Sequence, residues 1–102
     1  MLNIIYVGFE KDCNQKTISE LVGKQAILKL KHIAAERFGG YSATIVQGGW
    51  INGAGILVEE KALRLEIVTD DVTGIKAITA TAKAMLNQES ILLVQYQAEA
   101  TF

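Results

Sequence analysis

Glu59-Glu60-Lys61-Ala62-Leu63-Arg64-Leu65-Glu66-Ile67 is the stretch that decides the fold. Leu63, Leu65 and Ile67 alternate with Arg64 and Glu66, and a period of two belongs to a strand with two different faces. The alternation predicts a long strand over Ile56–Thr69. Successive side chains on a strand point to opposite faces. If strand geometry begins by Glu59, then Glu60 shares a face with Arg64 and Glu66, away from the leucines.

Upstream of this strand lies Gly48-Gly49-Trp50-Ile51-Asn52-Gly53-Ala54-Gly55, read as a glycine-rich connection, and before it Tyr41–Gln47, a second strand. Gly39-Gly40 ends a helix, because glycine takes the left-handed C-terminal position cheaply. That helix opens on Thr17-Ile18-Ser19-Glu20, which fits a capping box led by Thr17. Ile18, Leu21, Val22, Ile27, Leu30, Ala34 and Phe38 supply its apolar stripe, and Gly23 within it bends the helix or admits a close neighbour. Leu2–Phe9, rich in β-branched and aromatic residues, is the first strand. Downstream, Asp70 and Asp71 are N-cap candidates for a second helix with a buried stripe of Val72, Ile75, Ile78, Ala82 and Met85. Gln88-Glu89-Ser90 leads into a last strand, Ile91–Tyr96.

The order β-α-β-β-α-β predicts an α+β class, ferredoxin-like sandwich over residues 1–102 as a single domain: four antiparallel strands with both helices on one face. The other face has no cover within one subunit. A partner's sheet is the simplest cover, which implies a homo-oligomer.

Half of the residues are apolar, the net charge is −1, and there is one cysteine, Cys13, one histidine, His32, and no proline. No Lys/Arg stripe offers a footprint for nucleic acid. No apolar run approaches the ~18 residues of a membrane span. Met1–Phe9 lacks a basic leader and reads as a strand rather than a signal peptide. One cysteine permits no internal disulfide, and with a single His and a single Cys a dedicated metal site is not expected. The expectation is a soluble cytoplasmic protein without cofactor, nucleic-acid or membrane partner.

Few residues remain that carry chemistry. Gly48, Gly49, Gly53 and Gly55 let backbone approach a ligand, or simply make a flexible hairpin. No Walker lysine follows them and no helix opens there, so a phosphate cradle is not supported. Trp50 either stacks on a nucleobase or a sulfonium cation or staples the loop to the sheet. Glu59 and Glu60 can hold a cation or act as a base, or form a solvated strand end. Gln88 stands in a helix-end turn. Gln95 and Gln97 share one face of the last strand, where buried amides would need partners. His32 reads as exposed, and no nucleophile triad is present.

Gly48-Gly49-Trp50, then Glu59-Glu60-Lys61-Ala62-Leu63-Arg64-Leu65, then Gln88-Glu89-Ser90-Ile91-Leu92 resembles the phage-encoded S-adenosylmethionine (SAM) degrading enzymes, the SAM lyases formerly called SAM hydrolases. That family shows a glycine-flanked aromatic, an E-E-K-x-φ-R-φ strand start and a Q-[DE]-x-φ-L run into the last strand. The resemblance covers roughly Phe38–Gln97; the first third matches in element order alone. Trp50 stands where the family usually has a tyrosine. The same pattern is similar to a bacterial and phage family of unknown function. The element order also resembles PII-like trimeric signalling proteins, which bind nucleotides between subunits.

These resemblances imply a homotrimer with ligand sites at subunit interfaces. The lyase resemblance implies that the methionine carboxylate of SAM attacks its own Cγ, with methylthioadenosine leaving and homoserine lactone forming. It implies Glu60 or Glu59 as the carboxylate that holds the cationic substrate, with Trp50, Gly49, Gln88, Gln95 and Gln97 as substrate-binding residues. The competing expectation is a non-enzymatic PII-like module binding an adenine nucleotide between subunits, against which the chain lacks the basic residues that a triphosphate needs.

Overall fold

The computed structural model describes residues 1–99. The elements run β1 (Leu2–Gly8), α1 (Glu20–Phe38), β2 (Ser42–Ile51), β3 (Leu57–Val68), α2 (Val72–Leu86) and β4 (Leu92–Tyr96). They form a four-stranded sheet in the order β2-β3-β1-β4, antiparallel throughout. This is the ferredoxin-like order that the alternation in β3 and the two helical stripes predict.

The core lies between the helices and one face of the sheet. Ile5, Val7, Leu63, Leu65 and Ile67 come from β1 and β3, and they meet Ala26, Leu30 and Ala34 of α1 and Ile75, Ile78, Ala82 and Leu86 of α2. Removing this apolar area from water is the main stabilising term.

Helix α1 starts two residues later than its sequence suggests. Its N-cap is Ser19, whose hydroxyl accepts from the Val22 N–H at 3.2 Å. Thr17 pairs instead with Lys11 in a short antiparallel bridge, and the Ile18 N–H donates to the Glu10 carbonyl at 2.8 Å. The segment before the helix is thus folded back on itself, so Thr17 cannot serve as the cap. The buried face of α1 also departs from the expected stripe. Gly23, Ala26, Leu30 and Ala34 are buried, whereas Leu21 and Val22 are exposed. Gly23 faces β1's end so closely that a Cβ there would stand 3.2 Å from the Phe9 carbonyl oxygen. A small residue sets the phase, because it lets the helix approach the strand.

In α2 the cap is Asp71 rather than Asp70: its carboxylate accepts from the Gly74 N–H at 2.9 Å and from Arg37 Nε at 2.8 Å. The Arg37 guanidinium holds the Asp71 carboxyl below its ordinary value, with the Gly74 N–H acting in the same direction. Ile75, Ile78 and Ala82 are buried as expected, but Val72 is exposed and Leu86 takes the innermost place at the C-terminal end.

The largest correction concerns the glycine-rich segment. It is not a loop. Gly48 to Ile51 continue β2, pairing from Gly48↔Glu60 to Ile51↔Leu57. The reversal is confined to Asn52–Ile56, where the Asn52 carboxamide oxygen accepts from Ala54 N–H at 2.9 Å and Ile56 N–H at 3.0 Å, and Gly55 adopts a left-handed φ of 77°. An Asn closing its own turn in this way is an Asx turn. The β2–β3 ladder runs past the last β1 pair, Gly8↔Ala62, so the tip of this hairpin projects beyond the four-stranded part. No helix among the described residues is long and apolar enough to cross a membrane.

Candidate functional site

Directly paired residues of antiparallel strands share a face. Because Leu63, Leu65 and Ile67 face the helices, the pairing puts Trp50, Gly48, Val58, Glu60, Arg64, Glu66, Tyr6, Leu92, Val94 and Tyr96 on the opposite, uncovered face. Leu92 and Tyr96 are more than half exposed there. The expected open apolar face is therefore present.

Glu60 sits where β1 leaves the sheet. On one flank its partner is Gly48, whose missing side chain leaves a gap between Val46 and Trp50 along β2. Trp50 is one diagonal step from Glu60, a separation of about 7 Å between backbones. On the other flank the Glu60 carboxylate reaches into the segment that follows β1, and its Oε2 accepts from the Lys11 N–H at 3.2 Å. Burial pushes the Glu60 carboxyl above its ordinary value, with the N–H groups of Lys11 and Glu10 pulling the other way. Desolvation disfavours the charged form, and donors aimed at the oxygens favour it.

The grip is reciprocal. Glu10 Oε1 accepts the N–H of Lys61, the residue after Glu60. Gln88 closes the set from the end of α2: its Nε2 donates to the Gly8 carbonyl at 3.1 Å and to the Lys11 carbonyl at 2.8 Å. Two carboxylates and one carboxamide thus fasten the segment after β1 to β3 and to α2.

Further along the open face, Arg64 is paired across β1 with Tyr6 and lies 5.9 Å from its ring centroid, a cation–π arrangement. Its Nη2 meets Glu66 Oε1 at 2.9 Å, while its buried Nε has no partner among the described residues.

The structure puts Glu60 and Trp50 on one face, a diagonal step apart, with the Glu60 carboxylate directed toward Gly8 and Lys11, and Gln88 reaches the same Gly8 and Lys11 backbone from beyond α2; the others lie apart from them. Glu59 and Gly49 are paired with each other on the reverse face of the hairpin, where Glu59 accepts from Gln47 Nε2 at 3.4 Å. Gln95 is opposite Asn3 and donates to its Oδ1 at 2.7 Å. Asn3 is fully buried on the helix-facing side, and its Nδ2 donates to the carbonyls of Ile67 and Thr69 at 3.2 and 3.1 Å. Gln95 therefore satisfies a buried amide. Gln97 lies beyond the end of β4 and is exposed. His32 is exposed and beside Glu36 on α1. No group of three His, Cys, Asp or Glu capable of holding a metal occurs among the described residues.

Gly8, Glu10 and Lys11 were not singled out by their sequence. Only Gly8 carried a signal, since a glycine in a run that otherwise reads as strand often marks close approach of another group.

A phage SAM lyase in complex with S-methyl-5'-thioadenosine superposes with a TM-score of 0.63 over 90% of this chain and 76% of that one, at 17% identity. The same kind of enzyme in the apo state gives 0.64. The periplasmic divalent cation tolerance protein CutA from Archaeoglobus fulgidus gives 0.59 over 98% of this chain and 88% of that one, at 12% identity. The chain has the fold of a phage SAM lyase. CutA shares that fold at similar scores, so the likeness speaks for the architecture. No family model matches the sequence, and no curated protein matches it.

Proposed function

We propose that the chain is a SAM lyase, cleaving SAM to methylthioadenosine and homoserine lactone at an interface between subunits of a homotrimer. The observation that carries this reading is Glu60: a half-buried carboxylate held by a backbone donor on an uncovered sheet face, one diagonal step from Trp50, in a fold shared with phage SAM lyase.

The reaction asks little of a protein. The substrate carboxylate forms a C–O bond to Cγ as the Cγ–S bond breaks, and the electron pair stays on sulfur. A sulfonium becomes a neutral thioether, the carboxylate becomes a lactone, and the net charge is conserved. Holding the methionine chain folded for this attack is the main task. Glu60 supplies negative charge to a cation stripped of water, which would otherwise be costly to enclose. Trp50 offers an aromatic face to the adenine or the sulfonium. In this reading Gln88 acts by holding the segment after β1. Glu59, Gly49 and Gln95, on the reverse face of the sheet, and Gln97, beyond the end of β4, have no direct part.

Shape supports the interface. Three hollows in the described residues are lined by Leu2, Phe38, Tyr41 and Val68, by Phe9, Glu10, Gly23 and Lys61, and by Lys76, Lys83 and Gln88, and none of the three is lined by Glu60 or Trp50. The face around Glu60 is open, so a second subunit is needed to exclude water there. The competing reading, a nucleotide-binding module without catalysis, is weaker because Arg64 is the sole strand cation on that face among the described residues and is already engaged by Glu66 and Tyr6. Incubation of purified protein with SAM, followed by chromatography for methylthioadenosine and homoserine lactone, tests the proposal. Absence of both products with retained binding of ATP would favour the module.

A further inference from the structure

Glu60 is placed by a residue that never needs to touch a ligand. A Cβ built on Gly8 would lie 2.6 Å from Glu60 Oε1 and 3.0 Å from its carboxyl carbon. No real Cβ tolerates the first distance. The carboxylate therefore lies over the Cα of Gly8 and crosses β1's last residue to reach the Lys11 N–H. Gly8 has no left-handed φ to explain its glycine, and it sits within a regular β1–β3 ladder opposite Ala62. What the observed Glu60 placement requires is the absence of a side chain on Gly8, because an added Cβ would push the mobile end of the Glu60 side chain aside. Gln88, donating to the carbonyl of Gly8 itself and to that of Lys11, fixes the floor and the far end of the same path.

We propose that Gly8 is a positioning residue: its bare Cα lets the Glu60 carboxylate lie down across β1 and dock on the backbone after it, which sets where negative charge stands on the open face. This rests on the role given to Glu60 above for its catalytic meaning, but the placement itself is testable without catalysis. In Gly8→Ala the carboxylate is lifted off the Lys11 N–H and turned toward solvent.

Three measurements decide it. Site-resolved NMR titration of the Glu60 carboxyl should show its midpoint moving toward the ordinary glutamate value in Gly8→Ala, and the Lys11 amide should lose its response to that titration. SAM cleavage should fall on the order of 10- to 100-fold in kcat/KM, as displaced charges do in preorganised sites. Glu60→Asp, one methylene shorter, should be less harmful in the Gly8→Ala background than in the parent, since the shorter side chain clears the new methyl. If Gly8→Ala does not fold, the double variant Gly8→Ala/Glu60→Ala should, because the colliding group is gone; failure of both overturns the proposal. An unmoved Glu60 titration in a folded Gly8→Ala also overturns it. A parent without SAM cleavage whose Glu60 titration nonetheless shifts in Gly8→Ala would sink the lyase reading and leave the positioning intact.

Discussion

Glu60 and Gln88 hold the two polar ends of a single residue, Lys11: its N–H donates to Glu60 Oε2 at 3.2 Å, and its carbonyl accepts from Gln88 Nε2 at 2.8 Å. One partner comes from β3 and the other from just beyond α2, 28 residues later in the chain. The path of the chain after β1 is thereby set by side chains rather than by regular secondary structure.

Glu60→Gln keeps this shape and removes the charge. SAM cleavage should fall on the order of a hundredfold or more, as it does when one preorganised electrostatic group is lost, and circular dichroism should show an unchanged fold. Glu59→Gln, on the reverse face of the hairpin, should matter less. Parent-like cleavage by both variants would rule out the carboxylate role.

The pH dependence of stability has a definite sign. Burial raises the Glu60 pKa in the folded protein, so the folded state binds this proton more tightly than the unfolded chain does. The stability linked to Glu60 is then fully present below the ordinary glutamate pKa and is lost as pH rises through the raised folded value. Urea unfolding of parent and Glu60→Gln, compared from about pH 4 to about pH 7, should show the variant gaining on the parent as pH rises through that window. A gap that stays constant, or that moves in the opposite direction, would contradict the shift.

Gln88→Ala removes two hydrogen bonds at once and leaves the carbonyls of Gly8 and Lys11 to water. The cost should be about 1 kcal/mol, since these carbonyls are only partly buried and can be rehydrated. Urea midpoints give the stability, and amide exchange at Glu10, Lys11 and Lys61 should quicken. Protection unchanged at those amides would mean that Glu60 and Glu10 suffice to hold the segment.

Trp50→Ala should leave the fold nearly intact, because Trp50 keeps 38% of its surface exposed at the far end of the β2–β3 hairpin. Affinity for methylthioadenosine, read by calorimetry, should drop about tenfold if the indole stacks on the adenine. A variant that unfolds would show instead that Trp50 is a structural staple.

The open face should bring three subunits together around a threefold axis, since it exposes Leu92, Tyr96 and Val68 over β1, β3 and β4 and Trp50 toward the hairpin tip, and such a face is costly to leave in water. Light scattering at about micromolar concentration should return a mass three times that of the chain. A stable monomer would remove the interface site.

How much of this was written in the chain depends on the range of the forces involved. The alternation of Leu63, Leu65 and Ile67 with Arg64 and Glu66 determined β3 and the face on which Glu60 stands, because a strand's two-residue period is local and one buried face pins its register. Gly39 ending α1 and the apolar spacing of α2 were legible for the same reason, and together they set the element order and the sandwich. Three things were decided only in the folded molecule. Gly48-Gly49-Trp50 reads as a loop by composition, but pairing with Val58, Glu59 and Glu60 recruits it into β2, since ladder hydrogen bonds outweigh the weak local preference of glycine. Ser19 rather than Thr17 caps α1, because Thr17 is consumed by its bridge to Lys11. Gly8, Lys11 and Gln88 converge on Glu60 from positions scattered along the chain, and no local pattern in a single sequence encodes that meeting. The strand period placed the carboxylate on its face; the long-range contacts decided which backbone it touches.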